Sequence, residues 1–271
     1  MIQEHVRRVQ SWYNLTGPKI ACLLVFIFIF VVTMFFVNVS ANISSFWSPM
    51  KAYNHSLQDT GCDFFNNGYQ SESNYNNVVD IIMICFLAIS IFFILINRLA
   101  VFIALKLLGC LSLTYLLRCI TLMFTALPDS WDLGIRTICN TFSEMSRDRG
   151  GDLIFSGHTL LVCTFAHCWS SFYIISDSFA FHVISAICAW IVAVTIFVFI
   201  VVGRLHYTID VLLGIYIASG VWWSSDYFLT RYFELPVCKL KFREERIPAM
   251  ISSSCDDTAV DVEQPVGVEH V

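Results

Sequence analysis

Two histidines and one aspartate have the residue types and spacing that suit group transfer. His206 and Asp210 are four residues apart, which places both on one face of a helix. A carboxylate in that position can fix the tautomer of the imidazole and stabilise its protonated form. An oriented, neutral imidazole is a nucleophile toward phosphorus or a general base. With His158 as a second proton-transfer group, the set predicts transfer through a phospho-histidine, with no metal or other cofactor.

Three further residues suit an anion beside His158. Ser156 and Gly157 precede it at a predicted helix start, where backbone N–H groups and the helix dipole favour negative charge. Arg118 offers a planar guanidinium fork to the same phosphate. Considered alone, Arg118 is explained equally well as an interface residue with its charge among the headgroups. The pair of His206 and Asp210, considered alone, is explained as a structural link between helices.

The composition places these residues in a membrane protein. Hydrophobic residues make up 57% of the 271 residues and charged residues only 14%, and the mean hydropathy is +0.68. In soluble domains about half of the residues are hydrophobic and about a quarter are charged. No basic cluster indicates a nucleic-acid partner. The sequence predicts an all-α bundle of six transmembrane helices, each about 20 apolar residues long: Ile20–Val39, Val78–Ile96, Val101–Ala126, Leu153–Ile175, Phe181–Val202 and Tyr207–Leu229.

The basic residues near the span ends predict the topology. They flank the first span, the second-to-third connection and the last span, which indicates cytosolic N- and C-termini: Arg7, Arg8, Lys19, Arg98, Arg231, Lys239, Lys241, Arg243 and Arg246. The loop between the first and second predicted spans lies on the opposite side and contains a glycosylation sequon at Asn54. We expect a cytosolic segment over 1–19, a catalytic membrane domain over 20–230 and a mostly disordered cytosolic tail over 231–271. Arg118, His158 and His206 then share the lumenal or exoplasmic side.

Cysteines and the remaining span residues are given no part in this chemistry. The eleven cysteines lack metal-ligand spacing, although Cys62 and Cys139 could pair in an oxidising lumen. His167, deep in the fourth span, is expected to face another helix. An interfacial aromatic belt is expected from residues of the last span and its edge: Trp222, Trp223, Tyr227 and Tyr232.

Three motifs in order along the chain resemble those of the sphingomyelin synthase family, within the wider lipid phosphate phosphatase superfamily. They are Arg118-x-x-Thr-x-x-x-Thr-x-Leu-Pro128, Asp152-Leu-Ile-Phe-Ser-Gly-His-Thr and His206-Tyr-Thr-Ile-Asp210-Val. The resemblance implies transfer of phosphocholine from phosphatidylcholine to ceramide, which gives sphingomyelin and diacylglycerol. The expected location is the lumenal or exoplasmic leaflet of the Golgi or plasma membrane. The oligomeric state is left open.

The resemblance also implies the roles of the site residues. His206 would attack the donor phosphorus with the help of Asp210. His158 would protonate the departing diacylglycerol and later accept the proton of the ceramide hydroxyl. Asp152 would tune His158, while Arg118, Ser156 and Gly157 would support the phosphate.

Departures from the family motifs leave the headgroup open. Gly150 stands in place of a cysteine, and Ser56-Leu-Gln-Asp59 is a remnant of a Pro-Leu-Pro-Asp motif. A ceramide phosphoethanolamine or inositol phosphorylceramide synthase is therefore an alternative. A lipid phosphate phosphatase is a weaker one, because its Lys-x6-Arg-Pro motif is absent. A non-catalytic ceramide-binding membrane protein represents a different class.

Overall fold

The computed structural model describes residues 17–47, 59–66, 74–125 and 154–233. Within these ranges every regular element is a helix, which confirms the all-α class. The seven helices are α1 (Gly17–Trp47), α2 (Thr60–Asn66), α3 (Asn74–Ile96), α4 (Ala100–Phe124), α5 (Gly157–Ser171), α6 (Phe179–Val202) and α7 (Thr208–Phe233). The described residues up to Tyr227 form one compact unit. The terminal segments expected to be cytosolic, up to residue 16 and from 234 onward, lie outside the described residues.

Four of the described helices are long and apolar enough to cross a membrane. They are α1 over Gly17–Ser44, α3 over Asn77–Ile96, α4 and α6, and they correspond to the first, second, third and fifth predicted spans. Large apolar side chains such as Phe28, Ile91 and Ile191 lie exposed on them. Because water would penalise so much exposed apolar surface, these faces indicate a multi-pass membrane protein.

The fourth and sixth predicted spans correspond to α5 and α7. Helix α5 has 15 residues, about 22 Å at helical rise, which is shorter than the hydrocarbon core of about 30 Å. Its side chains are almost all buried, including Leu160, Val162 and Ala166, so α5 packs against other helices and not against lipid. The count of six spans and the cytosolic termini stay predictions.

Helix packing brings the polar motifs to one end of the bundle. Helix α1 packs on α4, and α5 packs on α3, α4 and α6. Specific bonds join Trp169 of α5 to Ser90 of α3 at 2.9 Å and His167 of α5 to Ser219 of α7 at 2.8 Å. Helices α3 to α7 alternate in direction. The histidine end, as we call it, therefore contains the C-termini of α4 and α6 and the N-termini of α3, α5 and α7.

The opposite end contains an ion pair between a buried lysine and a partly buried aspartate. It also contains a tryptophan whose predicted position is wrong. Lys106 of α4 pairs with Asp226 of α7, and the Lys106 Nζ lies 4.0 Å from the ring centroid of Trp222. The expected belt is wrong for Trp222, which is fully buried and donates its indole N–H to Ser171 Oγ at 3.0 Å. Trp223 and Tyr227 are exposed, as a belt requires. His167 faces another helix, as expected.

Candidate active site

The first turn of α5 presents His158. Ser156 is the N-cap, and its Oγ accepts the backbone N–H of Thr159 at 3.3 Å, as a capping serine does. The preceding residue, Phe155, has a left-handed backbone with φ 38° and is buried. This bend lets the chain enter the helix at Gly157. The helix start predicted from Ser156, Gly157 and His158 is confirmed.

The turn between α6 and α7 presents His206. The Leu205 N–H bonds to the carbonyl of Ile200 at 3.0 Å, and Arg204 is left-handed with φ 52°, a pattern that ends helices by reversing the chain. His206 therefore precedes Thr208, where α7 begins. The expectation that His206 and Asp210 share a helical face is wrong in this detail, because only Asp210 lies within the helix. Their side chains nevertheless lie together.

Asp210 both caps α7 and lies beside His206. Its Oδ2 accepts the Tyr207 N–H at 3.1 Å, so the carboxylate reaches back to the start of the helix as in half of a capping box. The same Oδ2 lies 4.0 Å from His206 Nδ1, within ion-pair range but too far for a hydrogen bond. His206 is 7% exposed and Asp210 1%.

The two imidazoles face each other where α5 meets α7. The ring centroids of His158 and His206 are 6.4 Å apart, with 61° between the ring planes. The backbone supports this approach, because the Ser156 N–H donates to the carbonyl of Asp210 at 3.3 Å. A little further along, Gly214 of α7 packs on the side chain of Thr159. The residues that sequence spacing singled out thus meet across two helices.

Sequence analysis missed an aspartate beside His158. Asp80, near the start of α3, places its Oδ1 3.2 Å from His158 Nε2. Both side chains are partly exposed, 35% for His158 and 53% for Asp80. Nothing in the sequence links residues 78 positions apart. The available signal was an acidic residue at the edge of an apolar span, which is costly unless it has a partner or a function.

Arg118 lies against the helix start that presents His158. It is only 6% exposed, so the explanation as an interface residue with its charge among headgroups is wrong. A Cβ added to Gly157 would overlap Nη1 of Arg118, and Tyr115 donates its hydroxyl to the Gly157 carbonyl at 3.1 Å. The Arg118 guanidinium and the N-terminus of α5 therefore place positive charge beside His158, which suits a phosphate.

Several expected residues fall outside the part of the chain that the structure describes. They are Asp152, Gly150, Cys139 and the sequon residue Asn54, so the tuning role, the disulfide and the glycosylation remain predictions. Cys62 is a buried thiol that donates to Asp59 Oδ2 at 3.3 Å. Among the described residues, no three His, Cys, Asp or Glu side chains are grouped to hold a metal ion.

Residues 150–227 match the family model for the PAP2 superfamily C-terminal domain. The match includes His158, His206 and Asp210, while Arg118 and Asp80 precede it. It supports the lipid phosphate phosphatase superfamily, whose members are phosphatases and phosphotransferases. No curated protein matches the chain. Fold, site and match together are consistent with a membrane enzyme that acts on the phosphate groups of lipids.

Proposed function

We propose that the protein is a sphingolipid-forming transferase that moves phosphocholine from phosphatidylcholine to ceramide, giving sphingomyelin and diacylglycerol. One observation supports this most: two imidazoles 6.4 Å apart, each with its own carboxylate, in a bundle with lipid-facing spans. The superfamily match supports phosphorus chemistry, and the three motifs resemble those of sphingomyelin synthases. The proposed site opens to the lumenal or exoplasmic leaflet of the Golgi or plasma membrane.

In the first half-reaction, His206 attacks the donor phosphorus. Its Nδ1 faces Asp210, so Nε2 is the attacking atom, and the carboxylate stabilises the positive charge that develops on the ring. His158 has its Nε2 on Asp80, which leaves Nδ1 to protonate the departing diacylglycerol oxygen. The product is diacylglycerol and a phosphocholine group bound to His206.

In the second half-reaction, His158 acts as the base. Now neutral, it takes the proton of the ceramide primary hydroxyl, and the oxygen attacks the phosphorus on His206. The P–N bond breaks, sphingomyelin leaves and both histidines return to their initial states. Arg118 and the N-terminus of α5 neutralise the non-bridging phosphoryl oxygens, whose charge grows in the transition state.

A headgroup assay tests the function. The purified protein is given ceramide with phosphatidylcholine, phosphatidylethanolamine or phosphatidylinositol, each labelled in the headgroup, with His206→Ala as the control. We expect labelled sphingomyelin from the wild type alone. Labelled ceramide phosphoethanolamine or inositol phosphorylceramide as the sole product would contradict the choice of headgroup. A free labelled headgroup with no ceramide product would indicate a hydrolase, and no turnover would favour the non-catalytic alternative.

A further inference from the structure

The short helix α2 covers the turn that holds His206. It packs on α6, and the Cys62 sulfur lies 3.5 Å from the carbonyl oxygen of Val201. Asp63 Oδ1 lies 3.5 Å from a guanidinium nitrogen of Arg204. Gly61 lies so close to Thr208 that an added Cβ would overlap its Oγ1. These contacts touch the chain on both sides of His206, before it and after it.

Asp59, just ahead of α2, makes the central contact. Its Oδ2 accepts the backbone N–H of Thr208, the first residue of α7, across 149 positions of sequence. Its Oδ1 accepts the N–H of Gly61 at 3.0 Å. The first N–H groups of a helix lack partners within the helix, and an anion there interacts favourably with the dipole. One carboxylate therefore fixes the starts of both α2 and α7.

The surroundings of Asp59 keep it ionised. Partial burial raises the pKa of Asp59, but hydrogen bonds from Thr208, Cys62 and Gly61 together bring it below the ordinary 3.8. The charged and titratable groups nearby are Cys62, Asp63 and Arg204; burial and the Asp59 charge raise the pKa of the Cys62 thiol to about 12. A carboxylate whose pKa is lowered by folding stabilises the fold at pH values above its unfolded-state pKa. This stabilisation is lost as the pH falls through the folded-state pKa. The contact therefore persists at neutral pH.

The local backbone explains why the turn needs an external support. Arg204 holds a left-handed conformation that is strained for a residue other than glycine. Such a conformation persists only when the surrounding structure holds it. Asp59, Gly61 and Asp63 contact the chain within two residues of His206, at Arg204 before it and at Thr208 after it, and they can therefore hold the turn.

We propose that Asp59 is a positioning residue for the transfer reaction, which through Thr208 fixes the turn so that the His206 ring faces His158. The proposal rests on the proposed function for its kinetic consequence. A small displacement of a nucleophile slows attack without weakening lipid binding. We therefore expect the effect in kcat, with the KM of both lipids unchanged.

The kinetic test compares Asp59→Ala, Asp59→Asn and an Asp177→Asn control, in which an exposed aspartate in the α5–α6 loop is changed. Asp59→Ala should lower kcat about 100-fold. Asp59→Asn should fall between Asp59→Ala and the wild type, because its amide oxygen can still accept the Thr208 N–H. Asp177→Asn should match the wild type. A wild-type kcat in Asp59→Ala, or a rise in KM alone, would overturn the proposal.

A second measurement does not depend on which reaction the protein catalyses. Diethyl pyrocarbonate modifies accessible histidines, and mass spectrometry gives the rate at each one in protein shown to be folded by its Tm. His206 is buried at 7% exposure, so Asp59→Ala should raise its rate several-fold, while the partly exposed His158 serves as the internal reference. An unchanged His206 rate would overturn the positioning role. If the His206 rate is raised in Asp59→Ala but the wild type transfers no lipid headgroup, the positioning role stands and only the proposed function is contradicted.

Discussion

Single residues divide the proposed chemistry between two His–Asp pairs in different surroundings. His206 and Asp210 are both buried, whereas His158 and Asp80 are both partly exposed. The field of a buried carboxylate is screened less by solvent, so we expect Asp210 to act more strongly on its histidine at 4.0 Å than Asp80 does at 3.2 Å. The buried pair suits a nucleophile that must carry a covalent intermediate, and the exposed pair suits proton exchange.

Asp210→Asn separates the charge of Asp210 from its capping role. The amide oxygen can still accept the Tyr207 N–H, but the charge beside His206 is lost. We expect kcat to fall on the order of 10²–10⁴-fold at an almost unchanged Tm. Asp210→Ala should lose the cap as well, at about 1 kcal/mol of stability. Turnover and thermal unfolding of both variants check this; a wild-type kcat in Asp210→Asn would contradict the electrostatic role.

Asp80→Asn tests the aspartate that sequence analysis missed. In the proposed mechanism His158 acts in both half-reactions, so the variant should slow diacylglycerol release and sphingomyelin formation alike. We expect about a tenfold loss in each step, less than for a full proton-transfer group, because the pair is partly exposed and screened by solvent. Rapid-quench kinetics with and without ceramide measures the two steps. Asn77→Ala, exposed on the same helix, is the matched control. Wild-type rates in both steps would remove Asp80 from the mechanism.

At the scale of elements, the helices that apolar runs define were predictable. The predicted spans Val78–Ile96 and Phe181–Val202 match α3 and α6 to within a few residues. A run of about 20 apolar residues in the bilayer forms a helix because its backbone polar groups must bond to one another. The turn before α7 was not predictable, since it depends on a left-handed Arg204 where glycine is usual. The contacts of Asp59 and Asp80 join residues far apart in sequence, which no local pattern indicates.

The close contact between α4 and α5 yields a test of the phosphate site. Gly157→Ala would place a Cβ where Nη1 of Arg118 lies, so the guanidinium must move away from the helix start. We expect the KM for the phospholipid donor to rise and kcat to fall, together at least tenfold in kcat/KM. Steady-state kinetics at varied donor concentration measures both.

Gly220→Ala is the matched control for this change. Gly220 lies in α7 with open space around it, so alanine should raise stability by up to about 1 kcal/mol through helix propensity and leave turnover unchanged. Equal kinetics for Gly157→Ala and Gly220→Ala would contradict a phosphate-binding role for Arg118.

At the scale of the whole molecule, the alternating directions of the helices place the proposed site residues and the Lys106–Asp226 ion pair at opposite ends of the bundle. The histidine end contains the ends of the five helices α3 to α7, while Lys106 and Asp226 join α4 to α7 at the opposite end. Composition predicted the membrane class because its 57% of hydrophobic residues is higher than in soluble domains. It did not predict that α5 would be buried among other helices, since burial of a short helix depends on which neighbours surround it.

The ion pair yields a prediction on stability without an effect on chemistry. Lys106→Met leaves the partly buried Asp226 carboxylate without its lysine and should cost about 1–3 kcal/mol. The double variant Lys106→Met with Asp226→Leu should recover most of that loss. Thermal unfolding in one detergent measures stability, and turnover per folded molecule should stay at the wild-type value throughout. A double variant no more stable than Lys106→Met would contradict this interpretation.

The covalent intermediate on His206 is the central claim, and trapping it is the most direct test. Wild-type protein is mixed with choline-labelled phosphatidylcholine without ceramide, quenched at alkaline pH and digested, and the label is located by mass spectrometry. We predict phosphocholine on the peptide that contains His206, its loss on addition of ceramide with sphingomyelin formed in equal amount, and none in His206→Ala. Label on His158 instead, or sphingomyelin made by His206→Ala at the wild-type rate, would contradict the proposed mechanism.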